Sequence, residues 1–316
     1  MRAPDFWKHR GAVAQLLAPL GRLYGMSVAW KAAHASPYRA AMPVLCVGNL
    51  TAGGSGKTPV AIAIARLLQA RGKKPVFLTR GYGGKAHGPL LVKPHHDARL
   101  MGDEALLLAR AAPTIVSRDR ALGGALAGDE KADVIVMDDG HQNFALAKNL
   151  SLVVVDGGGG FGNGMALPAG PLREPVAQGL KRADAVVIMG AGNPGLAGFT
   201  GPVLRAWLEP LPHDFAGRKV LAFAGIGRPQ KFFETLKAAG AFVEETASFP
   251  DHHIFSPDAL AGLRARAKAR GAQLVTTEKD LVRIDPAQRT GIAALAVQAR
   301  FEDLAALEKL LDRGLA

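Results

Sequence analysis

Cysteine is almost missing from this chain. Cys46 stands alone among 316 residues, which excludes an internal disulfide framework. It lies in the apolar run 44–47 and reads as a small buried hydrophobe rather than a reactive thiol. Aromatic residues reach only 6%, too few for the stacking platforms that hold single-stranded nucleic acid, and no nucleic-acid partner is expected. Nor is there a long unbroken apolar stretch. Residues 12–30 come nearest, but Pro19, Gly21, Arg22 and Gly25 interrupt them. That argues against a secretory signal, which needs an unbroken apolar core, and against a spanning helix, which tolerates Arg at mid-depth poorly.

Acidic residues are also short, 27 Asp and Glu against 39 Lys and Arg, for a formal net charge of +12. A balance of that sign draws a protein toward polyanions, whether anionic lipid, nucleic acid or phosphorylated substrates. The excess is marked at the start, where Arg2, Lys8, Arg10, Arg22, Lys31 and Arg39 face only Asp5. Two readings of residues 1–40 stand. One is an interfacial segment with its apolar face in a headgroup layer and its basic residues on anionic lipid. The other is a helix packed on the protein body.

What is present is a globular composition, 48% hydrophobic and 21% charged, long enough for two cores. Continuous apolar runs at 42–49, 75–79, 134–137, 152–155 and 185–189 predict buried strands. Helical periodicity at 59–70 and 103–111 falls between them, so the pattern predicts a doubly wound, mostly parallel α/β sheet. Residues 190–217, rich in glycine and proline around a strand at 203–208, read as a linker. A second alternation follows, with strands at 219–224 and 273–276 and helices at 229–240, 257–270 and 301–311. The expected organisation is thus a segment 1–40, a domain with its linker at 41–215, and a smaller α/β domain at 216–316.

The strongest chemical signal is Thr51-Ala52-Gly53-Gly54-Ser55-Gly56-Lys57-Thr58, set between a strand and a helix. In a P-loop the glycines free backbone N–H groups for phosphates, the Lys reaches the β- and γ-phosphates, and the Ser or Thr hydroxyl binds Mg²⁺. Thr51 stands where the strict pattern has Gly. The run Val134-Ile135-Val136-Met137-Asp138-Asp139 is an apolar strand ending in carboxylates, the Walker B arrangement for holding Mg²⁺ beside a P-loop. Gly102-Asp103-Glu104 has two readings. It can be a helix N-terminus, with Asp as cap, or an acid near the γ-phosphate that orients a hydroxyl while Glu104 completes a magnesium shell. Asp251-His252-His253 cannot aim two adjacent imidazoles at one metal, and such a pair in a loop is more often structural.

With those residues placed, the chain resembles the tetraacyldisaccharide 4'-kinase family. The resemblance rests on the string from Val47 to Pro59, Arg80-Gly81-Tyr82-Gly83-Gly84, Gly102-Asp103-Glu104, Asp138-Asp139-Gly140-x-Gln142 and Gly170-Pro171-Leu172-Arg173-Glu174-Pro175. Phe249-Pro250-Asp251-His252-His253 and Thr276-Thr277-Glu278-Lys279-Asp280 continue it in family order. It implies two P-loop-like α/β domains joined by a short β linker. It implies transfer of the γ-phosphate of ATP, with Mg²⁺, to the 4'-hydroxyl of an acylated glucosamine disaccharide 1-phosphate. The expected location is the cytoplasmic face of a Gram-negative inner membrane, as a peripheral protein with no protein partner. By the same resemblance Lys57 contacts phosphates, Thr58, Glu104 and Asp138 serve the metal, and Asp139 supports the site. Asp103 would be the base, paired with His252. Arg80, Arg120, Gln142, Asn143 and Arg173 would touch the substrate. The family usually has His at the place of Asn143, while His141 fills a variable place. An amide can hydrogen-bond a sugar but cannot carry a proton.

The main rival is a cytosolic ATPase of the partitioning or metal-trafficking type, whose P-loops often carry a leading Lys where this chain has Ala52. A GTPase would need a guanine-reading Asn/Thr-Lys-x-Asp, and Thr277-Glu278-Lys279-Asp280 has the residues in the wrong order.

Overall fold

The computed structural model describes residues 4–196 and 198–316, so Arg2 lies outside the described residues. The strands in chain order are β1 (Val44–Gly48), β2 (Pro75–Thr79), β3 (Leu90–Leu91), β4 (Thr114–Val116), β5 (Val134–Asp138), β6 (Leu150–Asp156) and β7 (Ala185–Met189). They continue with β8 (Val203–Pro210), β9 (Lys219–Ala224), β10 (Phe242–Ser248), β11 (Gln273–Thr277), β12 (Ile292–Leu295) and β13 (Val297–Phe301). The helices are α1 (Ala12–Ala33), α2 (Lys57–Ala70), α3 (Ala98–Met101), α4 (Asp103–Ala109), α5 (Arg120–Asp129), α6 (Val176–Leu180), α7 (Pro229–Ala238), α8 (Pro257–Ala269), α9 (Glu278–Leu281) and α10 (Leu304–Leu315).

Nine strands form one sheet in the order β13-β8-β7-β6-β1-β5-β2-β4-β3, and four form a second in the order β10-β9-β11-β12. The runs predicted from apolar content are the central strands. Every residue of β1, β2, β5 and β7 is buried, as a sheet covered on both faces requires. β1 lies between β5 and β6, parallel to both. The chain therefore leaves β5 on one side of β1 and returns as β6 on the other. In an open α/β sheet the ligand crevice forms at that reversal, beyond the carboxyl ends of the strands.

The linker strand β8 is an integral part of the large sheet. It pairs parallel with β7 and antiparallel with β13. One strand of this ribbon leads to the smaller sheet and the other returns, so the short β linker is two-stranded. The expected second domain at 216–316 is corrected at its end. After β13 the chain places α10 on the large sheet, where Leu307, Leu310 and Leu311 join the core formed by α2, β1 and β6. Each buried leucine of this kind contributes about 2 kcal/mol. Arg71 at the end of α2 ties α10 down through Asp312 (2.8 Å) and Glu308 (3.2 Å).

One face of the helix α1 packs on the protein body, as the second reading of the N-terminal segment expects. Ala14, Gly21, Gly25 and Val28 are buried. A Cβ on Gly21 would meet the Ala166 carbonyl at 2.7 Å, and one on Gly25 would meet Pro175 at 3.3 Å. Small residues thus let the helix lie close against the body. The opposite face, with Leu16, Leu20, Leu23, Met26 and Trp30, is exposed, Leu16 at 80%. No helix among the described residues is long and apolar enough to cross a membrane.

Candidate active site

The P-loop connects β1 to α2 at the carboxyl edge of the large sheet. Its shape is fixed from beneath by Asn49, which is fully buried and donates to the Thr51 carbonyl (2.8 Å) and to Ser55 Oγ (3.0 Å). The Ser55 hydroxyl is therefore spent inward, which leaves its backbone for phosphates. From the side, Ala52 N–H donates to the Pro171 carbonyl (2.7 Å) and Arg173 N–H to that of Leu50 (2.7 Å). Gly53 and Gly56 take φ of 117° and 90°, which other residues adopt only under strain. The added Cβ of Gly53 or Gly54 would meet nothing, so this rim is open. α2 has no side-chain cap, and its first N–H groups need an outside partner, which suits an anion.

Asp138 ends β5 next to this helix start. Its Oδ2 accepts from Thr58 Oγ1 at 3.2 Å, while its buried Oδ1 has no protein partner among the described residues. Burial, then the charge of Glu104, pushes the Asp138 carboxyl up to about 7, against the opposing pull of Lys57. A hydroxyl and a crowded carboxylate with an unused oxygen are the donors magnesium takes from a protein that leaves its other positions to phosphates and water. The residues present fit Mg²⁺.

Asp139 faces the loop lysine. Lys57 Nζ lies 3.6 Å from its Oδ1, and Arg173 Nη1 donates to the same oxygen at 2.7 Å. Burial would raise this carboxyl, but Lys57 and Arg173 hold it below its ordinary value. The left-handed backbone of Asp139 (φ 53°) is kept by its N–H donating to the Val47 carbonyl at 2.9 Å.

A second constellation joins the two sheets. Asp103 opens α4 and is buried; His252 comes from the loop after β10. His252 Nδ1 lies 3.0 Å from Asp103 Oδ2, so the expected pair meets across the junction. Arg283, just past α9, donates to the same Oδ2 from Nε (2.7 Å) and from Nη2. Asp103 Oδ1 accepts only the Glu104 N–H, at 3.0 Å, among the described residues. Burial would raise the Asp103 carboxyl, but the bond from His252 and the charges of Lys279 and Arg283 hold it well below the usual range. The loop Arg80–Gly84 covers the pair. The Tyr82 ring lies edge-on to His252 with centroids 5.7 Å apart. A Cβ on Gly102 would meet the Tyr82 carbonyl at 2.4 Å, so the glycines of this motif allow backbone to pack on backbone behind Asp103.

The other named residues divide. Arg80 is exposed at the end of β2, and Arg120 is buried beside the Asp138–Asp139 corner. Burial lowers the Arg120 guanidinium to about 10, and its Nε has no partner among the described residues. Gln142 is turned inward, its amide donating to the Asn49 carbonyl (2.9 Å) and to Glu174 (2.8 Å). Asn143 Oδ1 accepts from Ala145 N–H at 3.2 Å within its own turn. His141 is a buried, fully bonded histidine between Ser151 Oγ (3.0 Å) and the Gly179 carbonyl (2.9 Å).

A family model described as tetraacyldisaccharide-1-P 4'-kinase matches residues 13–316. The tetraacyldisaccharide 4'-kinase of Paramagnetospirillum magneticum is 53% identical, with 99% of this chain and 98% of that protein covered. The protein of the same name from Rhodospirillum rubrum is 49% identical at the same coverage. The crystal structure of LpxK from Aquifex aeolicus in complex with ATP superposes with a TM-score of 0.80 at 29% identity, covering 96% of this chain and all of that one.

The chain belongs to the tetraacyldisaccharide-1-P 4'-kinase family.

Membership makes it a kinase, and the rival reading as a partitioning or metal-trafficking ATPase falls away. Within this kinase the sequence motifs left two cations without a role. Lys279 Nζ pairs with Glu104 at 3.1 Å, and Arg283 holds Asp103. The first lies inside a motif that carries the family resemblance. The second is three residues beyond Asp280 on one helical turn, a spacing that brings its guanidinium back to that carboxylate. Nothing local reveals that the far edge of Arg283 reaches Asp103 at the start of α4.

Proposed function

We propose that this chain transfers the γ-phosphoryl group of ATP to the 4'-hydroxyl of a tetraacylated glucosamine disaccharide 1-phosphate, forming lipid IVA. The observation that carries this reading is the convergence of a P-loop, a buried strand-end carboxylate and an Asp–His pair drawn from the start of α4 and the loop after β10. Thr51 to Thr58 cradle the phosphates, and Lys57, steadied by Asp139 and Arg173, meets charge developing on the γ-phosphoryl group. Thr58, Asp138 and Glu104 would hold Mg²⁺, which would supply positive charge to the phosphate oxygens. Asp103 Oδ1 keeps a lone pair for the sugar hydroxyl. As the bond from O4' to phosphorus forms and that to the β-phosphate oxygen breaks, the hydroxyl proton passes to Asp103, with His252 at its other oxygen to share it. ADP leaves. Arg80 and Arg120 are assigned to substrate or transferring phosphoryl oxygens, while Gln142 and Asn143 act through the shape of their loop.

The apolar face of α1 and the net charge of +12 support a peripheral place on an anionic membrane. For a lipid acceptor phosphorylated by ATP, that is the cytoplasmic face of the inner membrane. The test supplies labelled ATP, Mg²⁺ and the acylated disaccharide 1-phosphate in mixed micelles. Label on the 4'-position is the expected result. Lipid-independent ATP hydrolysis with no labelled lipid would overturn the assignment.

A further inference from the structure

The turn containing α9 meets α4 through three ion pairs in register. Arg110 lies 3.5 Å from Glu278, Glu104 lies 3.1 Å from Lys279, and Asp103 accepts from Arg283. The first two involve partly exposed side chains, and the Lys279 contact takes only one oxygen of Glu104. The third differs in kind. The Arg283 side chain is only 4% exposed, and its guanidinium is fixed before it reaches across. Nη1 donates to Asp280 Oδ1 (2.9 Å) and to the Gly225 carbonyl (2.7 Å). Asp280 is in turn held by the Gly225 N–H (3.1 Å) and the Thr277 hydroxyl (2.7 Å). What remains is a rigid donor edge, Nε and Nη2, aimed at the one oxygen of Asp103 that also meets His252.

A guanidinium keeps its proton and has no acceptor, so Arg283 cannot relay the proton of the sugar hydroxyl. Its charge makes Asp103 a poorer proton acceptor, so any benefit it gives the reaction is geometric. By pinning Oδ2 beside His252 it fixes the rotation of the carboxylate and thereby presents Oδ1 to the crevice. We propose that Arg283 is a positioning residue for phosphoryl transfer, a fork rooted in the smaller sheet that orients Asp103 against His252. The inference rests on the reading of Asp103 and His252 as the base pair. It follows that the base is correctly oriented only while the two units are docked.

The test compares Arg283→Gln in the wild-type protein and in His252→Ala, with kcat and KM for ATP measured for all four forms. The expected result in the wild-type background is a fall in kcat of about a hundredfold, the cost of a misplaced reacting group, with KM for ATP nearly unchanged. In His252→Ala the same substitution should cost less than about threefold more, because residues acting as one unit are non-additive. Equal losses in both backgrounds, or a loss confined to KM, would overturn the inference and leave Arg283 a docking contact. A His252→Ala enzyme with native kcat would overturn the reading of the pair and this inference with it. Arg283→Lys keeps a charge against buried Asp280 and so decides the case if the Gln variant does not fold. It lacks the fork, and native kcat in that variant would also overturn the inference.

Discussion

Two cations converge on one oxygen of Asp139, and only one of them belongs to the P-loop. Arg173 fixes the carboxylate, and the carboxylate steadies Lys57 within reach of a phosphate. Lys57→Ala removes the charge that meets the γ-phosphoryl group, so kcat should fall by a hundredfold or more, about 3 kcal/mol. Wild-type turnover in a folded Lys57→Ala enzyme would rule out the P-loop assignment. Asp138 has the opposite problem, a buried carboxyl pushed up by its surroundings and in need of a positive partner. Asp138→Ala should therefore raise the magnesium concentration needed for half-maximal rate and lower kcat at saturation. An unchanged magnesium curve would count against its place at the metal. His141, three residues beyond Asp138, is a matter of stability. Burial lowers its imidazole to about 3. Below the unfolded value of about 6.5 the unfolded chain takes a proton that the folded one refuses. Stability is then lost as pH falls from that point toward 3, by up to about 1.4 kcal/mol per pH unit. Asp138 pulls the other way in the same window, since its raised carboxyl binds a proton more readily when folded. The contribution of His141 is isolated by urea denaturation of wild type and His141→Gln at pH 7.5 and 5.5. The variant should lose less on acidification, and equal losses would refute the argument.

At the scale of elements, the start of α4 shows how a loop without chemistry aims a residue that has it. Gly102 takes φ of 86°, and a Cβ added there would strike the Tyr82 carbonyl. Gly102→Ala is strained in its backbone and blocked in space, so the first turn of α4 must shift and carry Asp103 with it. The expected outcome is a drop in kcat of about tenfold or more with ATP binding retained. Native kcat would show that the contact is slack. The elements that were legible beforehand were those whose signal is local. The central strands are unbroken apolar runs, and the P-loop is a contiguous string. β10 was not legible, because as an edge strand it alternates exposed and half-buried residues and carries Glu244 and Glu245 in its middle. Helix α5 was hidden by its Gly123 and Gly124, which sit where a Cβ would strike Leu78 or crowd Leu146. Asp103 and His252 were paired only through family resemblance, since no local pattern reports a contact between residues 149 positions apart. Gln142, read as a substrate contact, is absorbed by Asn49 and Glu174. Its motif marks a brace beneath the P-loop, because a polar residue next to phosphates and one buried under them look alike in sequence.

The molecule as a whole presents one surface that its own core does not use. The buried stripe of α1 is made of small residues that bring the helix close to the body, and the large apolar residues point away from it. Such an arrangement wastes burial inside a protein alone, but it suits a helix lying in the interface of a bilayer with basic residues on headgroups. The basic residues of this segment are not equivalent. Lys8 is paired with Asp5, and Arg10 Nε donates to the Asn163 carbonyl, whereas Arg22 and Lys31 are exposed on α1 itself. Apolar contact should dominate, at roughly 25 cal/mol per Å² removed from water. Charge adds about 1 kcal/mol for each basic residue near an anionic surface. Replacing Leu16, Leu23 and Met26 together by Ser removes exposed groups only, so folding and ATP binding should survive. Binding to vesicles containing anionic lipid should fall at least tenfold, and turnover of the acylated acceptor in those vesicles should fall with it, while turnover in detergent micelles stays closer to wild type. Arg22→Gln with Lys31→Gln should weaken binding at low salt and change it little at high salt, where the surface charge is screened. Undiminished vesicle binding by the triple Ser variant would place the membrane contact elsewhere and leave α1 a helix packed only on its own protein.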